Sequence, residues 1–146
     1  VPGPFHGADT DNCGTGRIHA PALVLHEGRH FTECVWRQPR TAAELQQLAD
    51  AAEAEVFSAQ GCNGDDHWTP ETVREWWRDR ARLTAHPAAR RPDREADDER
   101  SGQGTAAAAD ACAVYLDGEL AAHLRACPFW LDERRPPTAA DRLPQL

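Results

Sequence analysis

The sequence predicts a small single α+β domain, a β-hairpin packed against two or three helices with irregular termini. Three observations predict it. Residues 22–36 concentrate strand formers around a turn signal. Two stretches, opening at Thr41 and Thr69, join a helix cap to helical apolar periodicity. Residues 106–126 combine high alanine content with a leucine stripe. At 146 residues the chain can bury one modest core.

Residues 1–17 are rich in Gly, Pro, Asp and Asn and read as an irregular arm. A hairpin is expected within 18–37. Leu23, Leu25, Phe31 and Val35 alternate with other residues, Val24, Thr32 and Trp36 favour strands, and Glu27-Gly28 falls where a turn belongs. Thr41-Ala42-Ala43-Glu44 is a capping box, in which the Thr41 hydroxyl accepts from the N3 amide and Glu44 reaches back. Leu45, Leu48, Ala49, Ala52 and Val56 then form one apolar stripe, ended by Gln60-Gly61. The second helix takes Thr69 as N-cap and Pro70 as its first residue, and points Val73, Trp76, Trp77 and Leu83 inwards. The hairpin and these two helices make a core of residues 18–86.

Residues 87–105 carry almost nothing apolar and read as a disordered linker. The unit 106–131 is expected to be a third helix packing on the core, with Cys112, Leu116, Leu120, Leu124 and Cys127 on one stripe. Asp117-Gly118 opposes this, because glycine costs about 1 kcal/mol inside a helix. The rival is a short hairpin pairing 114–116 with 120–124. Pro128 is expected to stop the element, and 132–146 to form a loose tail.

The net charge of −8 argues against a general binder of nucleic acid or anionic membranes. No apolar run approaches the roughly 18–20 residues of a membrane-spanning helix. The first residues have neither the basic nor the apolar region of a signal peptide. Every one of the 16 basic residues is arginine, as in GC-rich coding, so Val1 reads either as a GTG start or as the edge of a processed fragment. With no leader removed, a cytoplasmic location follows, and the five cysteines are expected to be reduced, buried or metal-bound.

His26-Glu27-Gly28-Arg29-His30 is an H-E-x-x-H string. On a helix this spacing sets two imidazoles on one face to hold zinc, with the glutamate as general base. With the apolar run Leu23-Val24-Leu25 before it, the segment resembles the zinc helix of the zincin metallohydrolases. That resemblance implies zinc on His26 and His30 and a water activated by Glu27. It departs from the family at Gly28 and Arg29, and no glycine-plus-histidine extension follows.

In a hairpin with a three-residue loop, His26 and His30 instead pair across the strands, with Cys34 on the same face. Cys13, Cys62 or His67 then completes a tetrahedral structural zinc site. Separately, the segment ending His123-Leu124-Arg125-Ala126-Cys127 is similar to the H-x3-C-x2-C pattern of zinc-binding anti-sigma factors, with Trp130 in place of the last cysteine.

Arg74, Arg78, Arg80 and Arg82, with Trp76 and Trp77, form the one basic-aromatic cluster, which in a nucleic-acid binder would contact phosphate and stack bases. Glu71 and Glu75 pair these arginines at i,i+3 and favour a solvated face instead. Trp36, Trp68, Trp76, Trp77 and Trp130 are many large aromatics for this length and suit a partner-binding patch. The function expected is a non-enzymatic binding or regulatory protein acting through contacts with a protein partner, with a structural zinc as candidate stabiliser. The alternative is a zinc-dependent hydrolase using Glu27.

Overall fold

Two valines set the register of the central hairpin. Strands β2 (Val24–Glu27) and β3 (Thr32–Val35) are antiparallel, with Val24 opposite Val35, Leu25 opposite Cys34, His26 opposite Glu33 and Glu27 opposite Thr32. The fold is α+β in a computed structural model that describes residues 1–10, 13–27, 32–102 and 104–146. Both faces of the hairpin are covered. Val24 and Val35 join Ala20, Leu23, Leu48 and Ala51 in one buried cluster. Leu25 and Trp36 join a larger cluster with Val73, Cys112, Tyr115, Leu116, Leu120, Leu124 and Leu131.

The smaller cluster is closed by α1 (Thr15–His19) and α2 (Ala42–Ala54). Glu33, fully buried on the same hairpin face as Val24 and Val35, ties α1 down. Its carboxylate accepts from the Gly16 and Arg17 amides at 3.1 Å each and from Gln60 Nε2 at 3.1 Å. The expected Thr41 cap of α2 is present, accepting from the Glu44 amide at 3.2 Å. Glu44 reaches back one residue further than a capping box requires. It accepts from the Arg40 amide at 2.7 Å and from the Arg37 guanidinium at 2.7 Å, and these partners hold its carboxyl at about 2. Of the predicted α2 stripe, Leu48 is buried, whereas Leu45 and Val56 are exposed. Ala51 takes the inner place instead.

A second two-stranded sheet pairs β1 (His6–Gly7) with β4 (Gln60–Gly61), so the N-terminal arm is part of the fold. Gln38, buried just beyond β3, substitutes for a strand edge: its amide donates to the Phe5 carbonyl at 2.8 Å, and its Oε1 accepts from the Phe5 amide at 3.1 Å. Helix α3 (Pro70–Arg78) opens as expected, with Thr69 and Thr72 capping one another and Pro70 in the first turn.

The segment expected to be a linker is helical: α4 (Arg80–Ala89) runs into it, and α5 (Arg91–Ser101) fills most of it. Its support comes from charge spacing and not from an apolar stripe. Arg90 pairs with Asp93, Arg91 with Glu95 and Arg100 with Asp97 at i,i+3 or i,i+4, while Arg94 is buried. Asp98 then accepts from the Thr105 and Ala106 amides at 2.6 and 2.8 Å, capping the next helix.

The single third helix is two, α6 (Thr105–Asp117) and α7 (Leu120–Glu133), broken at the Gly118 foreseen as a conflict. Pro128 does not stop α7 but lies buried inside it, among Leu124, Cys127 and Leu131. The tail is tied by an Arg135–Asp141 fork at 2.7 and 2.8 Å, and by Arg74 Nε donating to the Gln145 carbonyl at 3.3 Å. No helix among the described residues is long and apolar enough to cross a membrane.

Candidate functional site

The H-E-x-x-H string does not begin on a helix. His26 and Glu27 are the last two residues of β2, so the zinc-helix geometry that would stack residues 26 and 30 is not formed there. His30 lies outside the described residues. Nor does the hairpin pair His26 with residue 30, since the observed register sets His26 against Glu33 and leaves 28–31 between the strands. The reason is burial: this register brings Val24 and Val35 together inside, which a three-residue loop would prevent. Strand alternation also sets Cys34 opposite Leu25, on the other face from His26.

The remaining candidate ligands are dispersed. Cys13 precedes α1, Cys62 follows β4, and both are exposed, as is Cys34. The His67 ring accepts from the Asn63 amide at 3.4 Å, and Asn63 Oδ1 accepts from His6 at 2.9 Å, an exposed polar chain that sequence reasoning did not foresee. No group of three or more His, Cys, Asp or Glu that could hold a metal ion occurs among the described residues. Three of the four clustered arginines are engaged internally: Arg74 pairs with Glu71, Arg82 with Asp79, and the Arg80 guanidinium stacks 3.9 Å from the Trp77 ring centroid.

One face of α7 does build a cleft. His123, Cys127 and Trp130, the residues of the H-x3-C-x2-W pattern, lie one turn apart and line a cavity of about 440 Å³ with Phe5, Gln38 and Asp65. Its apolar walls carry four prolines, Pro4, Pro39, Pro136 and Pro137. Backbone segments meet tightly beneath it. Gly64 donates to the Pro4 carbonyl at 2.9 Å, and a Cβ on Gly64 would lie 2.2 Å from the Gly3 oxygen. Gly3 itself has φ 141°, a conformation that only glycine adopts without strain.

Asp65 and Trp130 give the cleft its polar handle. The indole N–H donates to Asp65 Oδ2 at 3.0 Å, fixing a ring that remains 39% exposed. Asp65 Oδ1 is buried without a hydrogen-bond partner. His123 donates from Nε2 to the Pro2 carbonyl at 2.8 Å. Burial lowers its pKa, the Pro2 bond opposes this, and the positive charges of the Val1 amine and Arg40 add to the lowering, so the ring is neutral near pH 7.

Cys127 is buried, and burial, helped by Asp65, pushes its thiol up to about 11. Burial therefore favours the protonated thiol over the nucleophilic thiolate at Cys127. What the cleft offers is an oriented indole on a proline-lined wall. Sequence reasoning picked out Trp130 and His123 but missed Phe5, Gln38 and Asp65, which come from distant segments with no motif. No family model, no curated protein and no solved structure matches this chain.

Proposed function

We propose that this chain is a non-enzymatic binding protein acting through contacts with a protein partner, and that its cleft takes an extended, proline-bearing segment. The observation that carries this reading is the half-exposed Trp130, held in one orientation by Asp65 in a wall that already seats the chain's own Pro136-Pro137. Proline rings pack well on an oriented aromatic face. A polyproline II segment has little conformational freedom to lose on binding, so a small apolar cleft suffices to hold it. The protonated Cys127 and neutral His123 favour recognition over catalysis at this place.

The test is titration of the 15N-labelled chain with an oligoproline peptide, following the tryptophan indole N–H signals. Saturable movement of the Trp130 signal is expected, with a dissociation constant on the order of 1 mM or below. Trp130→Ala should abolish binding without unfolding the chain, because Trp130 is 39% exposed and belongs to neither buried cluster. If no Trp130 shift appears, or if Trp130→Ala binds as well as the parent, the reading fails.

A further inference from the structure

A second cleft, of about 470 Å³, opens between the start of α2 and the end of α6. Trp36 and Tyr115 line it, meeting edge to face with ring centroids 5.7 Å apart. An arginine lies over each ring: Arg37 is 5.8 Å from the Trp36 centroid, and Arg40 is 5.8 Å from that of Tyr115. Both rings are more than nine-tenths buried; the Trp36 Nε1 has no hydrogen-bond partner, and the Tyr115 hydroxyl has only the Arg40 guanidinium beside it. Buried polar groups almost always find partners, so an indole and a phenol donor with no acceptor, beside two guanidiniums, mark a place suited to one.

Glutamates now occupy the guanidiniums. Glu44 holds Arg37 firmly, since its second oxygen also takes the Arg40 amide. Glu119 holds Arg40 at 2.5 Å, but this pair is about half exposed on both sides and opens readily.

We propose that this cleft binds a small phosphate monoester, whose oxygens replace the Glu119 carboxylate on Arg40 and reach the Tyr115 hydroxyl. Glu119 is the chain's own stand-in for that ligand. An incoming monocarboxylate gains nothing over Glu119, whereas a phosphate monoester brings about two negative charges near pH 7 and three acceptor oxygens. Tetrahedral oxygens also suit a guanidinium fork and a hydroxyl together better than a planar carboxylate does.

Phenyl phosphate is the probe, with benzoate as the carboxylate control and sodium chloride at matched ionic strength as the salt control. The readout is the Trp36 indole N–H signal of the full chain. Phenyl phosphate is expected to move it saturably. Arg40→Gln should weaken binding by about fivefold or more, and Glu119→Gln, by removing the internal competitor, should tighten it by about threefold. Both side chains are exposed enough for the variants to fold. The proposal is overturned if benzoate or chloride matches phenyl phosphate, or if Glu119→Gln leaves the affinity unchanged. A site that only tolerates anions would behave in one of those ways. Because Trp130 is on α7, outside this cleft, failure here is distinguishable from failure of the oligoproline titration.

Discussion

Glu33 shows how much one side chain can organise. It is fully buried with three donors on its carboxylate, and Arg17, also buried, is electrostatically tied to it and to Asp98. Removing an acceptor of this kind strands its donors in the interior. Glu33→Ala is therefore expected to lose about 3–5 kcal/mol in chemical denaturation, with α1 freed from the hairpin. His123 makes a prediction of the opposite kind, visible only as a function of pH. Its folded pKa is below the unfolded value of about 6.5, so between the two the unfolded chain binds more protons. This contribution is intact above about pH 6.5 and is lost as the pH falls towards the folded pKa. Stability measured from pH 7.5 down to 5 should drop more steeply for the parent than for His123→Gln, which keeps a donor for the Pro2 carbonyl. Equal slopes would remove His123 as the cause. Neither role was legible in the sequence: Glu33 reads as an ordinary polar residue in a strand, and its partners Gly16 and Gln60 come from separate segments.

At the scale of elements, legibility follows locality. The Thr69–Pro70 start of α3 was readable because cap, hydroxyl partner and first-turn proline all lie within four residues. The hairpin was readable as a hairpin, but its register was not, because the pairing of Val24 with Val35 is decided by what covers them. Helix α5 was misread for a related reason. Composition reports the want of apolar residues, whereas the helix rests on Arg–Asp and Arg–Glu pairs and on docking against α6. Asp98 is the joint of that arrangement, capping α6 across the Gly102 turn. Asp98→Ala should cost about 1 kcal/mol in thermal or urea unfolding and fray the first turn of α6, read as loss of hydrogen-exchange protection following Ala106. Unchanged protection there would show that the cap is dispensable. Gly118 was rightly suspected, but the favoured reading ran one helix through it and the rival made it the turn of a hairpin, where the chain makes a break between two helices.

For the whole molecule, the α+β class was legible from three local signals, and the candidate cleft was not. Its walls come from the N-terminal arm, the stretch after β3, the turn at Asp65, α7 and the tail, and only packing brings these together. The H-x3-C-x2-W run was the one sequence trace of it, and its spacing indicated a shared helix face more reliably than it indicated a metal. The hairpin explains why such distant pieces hold their places. One of its faces is the inner wall of the cluster under α1 and α2, and the other is the inner wall of the cluster under α6 and α7. A wall with rooms on both sides cannot be taken down from one side alone. Losing the Val24–Val35 pairing would also withdraw Leu25 and Trp36 from the larger cluster, and with Trp36 the floor of the arginine-lined cleft. Among the described residues the two clusters share this wall, so they are expected to unfold together.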